Sequence, residues 1–300
     1  MSESKKVAVF GLGSMGYGMA QSCLRAGHVT YGFDIASEPM TRFQAEGGAK
    51  GPLETVAADL DAVVVVVLNA AQTEAVLFGD NGIARHLTEG TVILASATVP
   101  PSFARDMEAR CAELGLLYLD APISGGSIKA AAGQLSIMAS GTAEAFEAAG
   151  PILDAMAEKV FDLGRAAGPA SAMKSVNQLL AGVHIAAMAE AMTFGMTQGI
   201  SPEAFMEVIP QCAGTSWMLE NRGPHIVSGD YTPHSQVNIW PKDLGIVLNS
   251  ADEVGFDAPI TKAALGQYKA AADMGLGRED DAAVAKVYAS ASNLKLPGAA

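Results

Sequence analysis

"KVAVFGLGSMGYGMAQSCLRAGHVTYGFD" (Lys6–Asp34) is the stretch that decides the fold. A β-branched run, "KVAVF", enters glycines at 11, 13 and 16, passes through the helix-compatible "YGMAQSCLRAG", and returns to a second β-branched run closed by Asp34. Each glycine of Gly11-x-Gly13-x-x-Gly16 has its own physical role, which is in turn a tight bend, close backbone approach by a ligand, and close packing of helix on strand. The N–H groups that open the helix then face an anion. Glycine-rich turns are common, so the motif gains its weight from the complete order strand, turn, helix, strand.

That order predicts a dinucleotide site, with Gly11, Leu12, Gly13, Ser14, Met15 and Gly16 around the pyrophosphate. Asp34, about 20 residues beyond the turn, stands where an acid accepts from the ribose hydroxyls. A carboxylate there repels a 2′-phosphate, and Arg42 is the nearest arginine downstream, so NAD is favoured over NADP. Asp34 equally suits an N-cap for "ASEPMTRFQ".

Outward from this unit the pattern repeats. "AVVVVVL" (62–68), "TVILAS", "LLYLDAP", "QLSIMAS" and "KVFDLG" (159–164) read as strands, with helical stretches such as "FARDMEARCAELG" among them. Buried strands alternating with helices predict an α/β domain built on a parallel, doubly wound sheet. Leu68, closing the third run, is a candidate cofactor contact. After "GRAAGPA" the chain becomes Ala- and Met-rich without proline from about 170 to 199, which reads as one long helix opening an all-α domain. The expected division is 1–166 for the nucleotide-binding domain and 167–300 for a helical substrate and dimerisation domain.

Composition sets limits. Half of the 300 residues are hydrophobic and the net charge is −13, which argues against nucleic acid but leaves room for a small anionic substrate. The cysteines 23, 111 and 212 are scattered without metal-ligand spacing, so no metal is expected and the thiols read as free in a reducing compartment. No signal-peptide pattern opens the chain, and the longest aliphatic run is too short for a bilayer. The expectation is a cytoplasmic homodimer or homotetramer with no membrane partner.

Lys174 stands out in "AMKSVNQLLAGVHIAAMAEAM", apolar on nearly every other face. Asn177 and Gln178, at i+3 and i+4, share its stripe. The stripe either faces water or faces a cleft where the domains meet, and clefts hold substrates. A desolvated lysine loses its proton more readily and serves as a general base. "DAPISGGSIKAAAG" (120–133) offers a complement: the Ser124 hydroxyl, backbone opened by Gly125 and Gly126, and a helix start, suited to a carboxylate. By itself it reads as a turn.

Together, "GLGSMGYGMA", "DAPISGGSIKAAAGQLSIMASG", "KSVNQLLAG" and "KDLGIVLNSA" (from Lys242) resemble the β-hydroxyacid dehydrogenase family across essentially the whole chain. The resemblance implies a Rossmann domain joined by a long helix to an all-α domain. It implies Lys174 as catalytic base, Ser124, Gly125 and Gly126 as the substrate-carboxylate site, and Asn177 and Gln178 in substrate contact. It also implies Thr98 near the nicotinamide, with Lys242 and Asp243 approaching the cofactor. The family commonly has Lys-x-x-Asn-Asn, and here Gln178 replaces the second Asn. "NQLLAGVHIAAMAEAM" is similar to the L-threonate branch, which makes the implied substrate L-threonate or 3-hydroxyisobutyrate. A semialdehyde-acid reductase, an imine reductase of related architecture and a non-catalytic NAD-binding protein are the alternatives. The retained lysine and Ser-Gly-Gly turn weigh against the last two. Ser216, Trp217, Asn221, Arg222 and His225 are specificity candidates, with core packing for Trp217 and surface charge for Arg222 as competing readings. His184 reads as structural.

Overall fold

The computed structural model describes residues 3–298, which divide into two compact units, one ending at Lys174 and the other beginning at Ser175. The division falls inside the long helix, eight residues beyond the expected boundary.

The first unit is built on an eight-stranded sheet. Five strands are parallel, in the order β2 (Val29–Phe33), β1 (Lys6–Phe10), β3 (Ala62–Val65), β4 (Val92–Ala95), β5 (Leu117–Asp120). Alternate residues serve opposite faces. Val7, Val9, Val64 and Leu94 pack with Met19 and Cys23 of α1 (Gly16–Arg25), Phe43 of α2 (Ser37–Ala45) and Ile152 of α7 (Ala143–Met156). Ala8, Val63, Val65 and Ile93 pack with Leu77 of α4 (Ala70–Phe78) and Met107 of α5 (Pro101–Ala112). The short α3 (Leu53–Val56) leads towards β3. Helices on both faces explain why these strands read as unbroken β-branched runs.

The sheet is not wholly parallel, contrary to the sequence expectation. β6 (Ile123–Ser124) and β7 (Leu135–Gly141) are antiparallel, and β7 is also antiparallel to β5, while β8 (Ala157–Asp162) lies parallel to β7. The pairs Leu119–Gly141 and Ile123–Ile137 keep one register, so β5 and β6 form one antiparallel ladder against β7, interrupted at Ala121 and Pro122. The link from Ser124 to Leu135 holds only the seven-residue α6 (Gly126–Ala132), shorter than a parallel crossover requires. An antiparallel return is what this link permits.

The second unit contains most of α8 (Pro169–Thr197), then α9 (Pro202–Val208), α10 (Trp217–Ser228), α11 (Ile239–Glu253), α12 (Pro259–Ala271) and α13 (Ala285–Ala291). Ile185, Met188, Ala189 and Met192 of α8 meet Leu219, Trp240, Leu244 and Tyr268 in one core. Gly182 permits the close approach: a Cβ there would lie 2.8 Å from the Trp240 ring. The Tyr268 hydroxyl donates to the Gly182 carbonyl at 2.8 Å. The 29-residue α8 contains an 18-residue stretch of mean hydropathy 1.4, long and apolar enough by length and composition to cross a bilayer. Its apolar residues from 185 to 192 line a packed core, which such a composition also serves.

Candidate functional site

Strand register brings the first-unit candidates to one edge. Phe33, Phe10, Val65, Ala95 and Asp120 form a single row across the parallel strands. Asp34, Gly11, Leu68, Thr98 and Ser124 follow within four residues of that row, along the carboxyl edge of the sheet. Ligands of open α/β sheets bind at such an edge.

At the nucleotide end the glycines differ in their reasons. Gly11 has φ +94°, and a Cβ on it would lie 2.5 Å from the Val66 carbonyl oxygen. A Cβ on Gly16 would lie 1.8 Å from the Gly11 carbonyl oxygen, so helix and turn pack without any side chain between them. Gly13 has nothing within 4 Å of its Cβ position, leaving open backbone beside the start of α1. A cleft of about 510 Å³ lies here, lined by Leu12, Gly13, Ser14, Tyr17, Arg42 and Ser127 among others. Exposed backbone, a helix N-terminus and this volume fit a dinucleotide pyrophosphate.

Asp34 does not cap α2; Ala36 is the N-cap residue and no side chain caps there. Its Oδ2 accepts from the Leu12 N–H at 2.7 Å and its Oδ1 from the Ala36 N–H at 2.9 Å. The carboxylate therefore braces the glycine turn. A carboxylate has about four acceptor positions, so room remains for ribose hydroxyls. Arg42 returns to the cleft from the second turn of α2, its guanidinium 3.9 Å from the centre of the Tyr17 ring. The sequence showed Arg42 only as the nearest arginine downstream of Asp34; its helical spacing from the start of α2 was the signal that it returns to the cleft.

Leu68 projects into solvent beyond β3, its N–H donating to the Gln72 side chain at 2.9 Å. Thr98 is half-buried in the loop after β4.

The Ser-Gly-Gly turn has two distinct glycines. Gly125, at φ +137°, would place a Cβ 3.1 Å from Lys129 side-chain carbons. Gly126, at φ +78°, has only open space above it. Both conformations are strained for other residues. A backbone that is both locked and accessible suits an anionic ligand.

Four residues earlier on the same edge, buried Asp120 binds the start of α8. Its Oδ2 accepts from the Gly168 N–H at 3.0 Å and the Ser171 N–H at 2.9 Å, and its Oδ1 accepts from the Ser171 hydroxyl at 2.7 Å. Ser140 Oγ accepts from the Ala170 N–H at 3.1 Å. These side chains satisfy N–H groups that every helix start leaves open. Burial raises the Asp120 carboxyl above its ordinary value, and the Ser171 and Gly168 hydrogen bonds partly oppose this. Lys174 follows Ser171 by one turn and is 9% exposed. In the sequence Asp120 is no more than the lead-in to Ser-Gly-Gly.

In the second unit, Asn177 Nδ2 donates to Gln178 Oε1 at 3.0 Å, and Gln178 Nε2 donates to Asp243 Oδ2 at 2.5 Å. Lys242 Nζ lies 2.8 Å from Asp243 Oδ1. Gln178 and Asp243 are buried and Asn177 is half-buried. The structure thus joins two neighbouring pairs of candidates, 65 positions apart, into one chain of hydrogen bonds ending in an ion pair.

The remaining candidates separate. Trp217 is 64% exposed, and Arg222 is buried with Nε 2.5 Å from Asp281 Oδ1, the reverse of the two competing readings. Asp281 also accepts from Trp240 Nε1 at 3.0 Å, and His225 Nδ1 pairs with Asp280 at 2.9 Å. Arg222 and His225 therefore hold a buried polar knot. Asn221 accepts from Arg222, Ser216 caps α10, and His184 is half-buried on α8. Among the described residues no cluster of His, Cys, Asp or Glu is arranged to hold a metal.

Residues 6–164 match the family model described as the NAD binding domain of 6-phosphogluconate dehydrogenase. Residues 168–288 match that described as the NAD-binding domain of NADP-dependent 3-hydroxyisobutyrate dehydrogenase. The chain is 49% identical to an L-threonate dehydrogenase of Cupriavidus necator over 99% of both chains. It is 46% identical to the L-threonate dehydrogenase of Haemophilus influenzae over 97% of both. A crystal structure of 3-hydroxyisobutyrate dehydrogenase from Salmonella typhimurium is similar with TM-score 0.89 and 43% identity, covering 95% of this chain and all of that one. With the glycine turn, Asp34 and the carboxyl-edge geometry, these likenesses have one meaning: the chain belongs to the β-hydroxyacid dehydrogenase family of NAD-dependent oxidoreductases acting on small hydroxy acids.

Proposed function

We propose that the protein oxidises a four-carbon polyhydroxy acid, with L-threonate as the substrate to test first. The observation that carries this reading is the 49% identity to an L-threonate dehydrogenase over 99% of both chains. In this reading the Ser124 hydroxyl and the backbone of Gly125 and Gly126 hold the carboxylate. Lys174 as the neutral amine takes the hydroxyl proton, and Asn177 and Gln178 orient the polyol. Gly11, Leu12, Gly13, Ser14, Met15 and Gly16 hold the pyrophosphate, and Asp34 receives the ribose hydroxyls. Leu68, Thr98, Lys242 and Asp243 complete the cofactor's surroundings. Bound NAD supplies the acceptor for the hydride that leaves the carbinol carbon. The alcohol thereby becomes a carbonyl, and its proton remains on Lys174 until it passes to solvent.

The assembly belongs to the proposal as well. Met173, Val176 and Leu180, at 45%, 54% and 49% exposure, recur at helical spacing on α8 and give a second copy an apolar surface. This surface supports a homodimer or homotetramer, which the proposal places in the cytoplasm. Light scattering should return two or four chains, and a monomer would remove this part.

Initial rates with NAD and NADP against L-threonate, D-erythronate, 3-hydroxyisobutyrate, glycerate and 4-hydroxybutyrate test the substrate. Preference for a tetronate with NAD supports the reading. Preference for 3-hydroxyisobutyrate withdraws it.

A further inference from the structure

Asp243 sets the polarity of a hydrogen-bond chain. A carboxylate ion-paired to Lys242 only accepts, so the Gln178 group facing it at 2.5 Å must be its NH₂. Gln178 Oε1 then faces Asn177, and only the Asn177 NH₂ can answer it, at 3.0 Å. The end of the relay is the Asn177 amide oxygen, which no protein donor occupies among the described residues. Asn177 is half-buried, and it lies one turn from Lys174 on the same helix.

The geometry points to Asn177 as a specificity residue that presents a hydrogen-bond acceptor, and thereby selects substrates bearing a second hydroxyl near the reacting carbon. Gln178 is spent within the relay as its positioning residue. Its extra methylene, relative to asparagine, is used to reach Asp243. A methyl group at the same place on the substrate would leave the acceptor desolvated and unpaired, whereas a hydroxyl donates to it. This rests on the tetronate reading above and refines it to a stated contact.

The experiment compares kcat/KM for L-threonate with its 3-deoxy and 4-deoxy analogues (2,4- and 2,3-dihydroxybutanoate). The comparison is made in the wild type, Asn177→Leu and Gln178→Met. One neutral hydrogen bond gives an expected preference of about tenfold over at least one deoxy analogue in the wild type. Asn177→Leu should bring that ratio to within about twofold of unity, chiefly by lowering kcat/KM for L-threonate. Gln178→Met keeps Asn177 but frees its amide to turn, and should lower the ratio as well. A wild-type preference that both variants retain overturns the relay and leaves the substrate reading standing. A wild type that oxidises 3-hydroxyisobutyrate but neither L-threonate nor its analogues overturns both. NADH titration of each variant verifies that the fold persists.

Discussion

Replacing Asp120 by alanine should damage the protein through the helix that carries Lys174. The side chain accepts three hydrogen bonds, from the Gly168 and Ser171 N–H groups and the Ser171 hydroxyl, at a site where Asp120 is 1% exposed. Each buried donor left without a partner costs about 1–3 kcal/mol. The two N–H groups are fixed by the backbone, whereas the hydroxyl can rotate, so Asp120→Ala should cost about 3–5 kcal/mol. Asp120→Asn keeps an oxygen for both N–H groups and turns its NH₂ to the hydroxyl, and should cost about 1 kcal/mol. Burial holds the Asp120 carboxyl above its ordinary value. An acid raised in the folded state makes stability fall as pH rises from 3.8 through the raised value. The asparagine variant lacks this loss, so it should gain on the wild type as pH rises across that window. Urea unfolding followed by circular dichroism at several pH values measures both effects. An Asp120→Ala protein within about 1 kcal/mol of wild type and with unchanged kcat would refute the reasoning.

Gly16→Ala sets a Cβ 1.8 Å from the Gly11 carbonyl oxygen, so the turn must shift; NADH fluorescence titration should show binding at least about tenfold weaker. Unchanged affinity would mean that the turn is not part of the cofactor site. Asp34→Arg should raise the NADP-to-NAD ratio of kcat/KM while lowering both values, because the brace on Leu12 and Ala36 goes with the carboxylate. A variant that equals the wild type with NADP would show the brace to be dispensable. Burial pushes the Asp280 carboxyl up, yet hydrogen bonds from His225 and the His234 and Ala282 N–H groups leave it below its ordinary value. Its contribution is present above pH 3.8 and is lost as pH falls towards the lowered value, so Asp280→Asn should flatten acid unfolding there.

The glycine turn, the strand–helix alternation and the change to a helical second half were legible because each is a local pattern. The antiparallel β7 was not, since its direction follows from the short link between Ser124 and Leu135 rather than from its own residues. Lys174 was conspicuous as a charge in an apolar helix. Asp120 was not, because the groups it serves lie 48 and 51 positions away. Likewise Gln178 could be read as a departure from the family pattern, but not as a link to Asp243, 65 positions on. Arg222 looked like surface charge because its buried partner Asp281 is 59 positions distant. Long-range polar pairing leaves no period in the sequence.

Oxidation of a tetronate with Lys174 as the proposed base is tested most directly by the rate of NADH formation from L-threonate and NAD, in the wild type and in Lys174→Ala, with NADH binding measured alongside. Steady turnover by the wild type, and its loss by about 10²–10⁴-fold in a variant that still binds NADH, is the predicted result. Turnover within about tenfold of wild type in Lys174→Ala would contradict the assignment of the base. No turnover of L-threonate by the wild type would contradict the substrate.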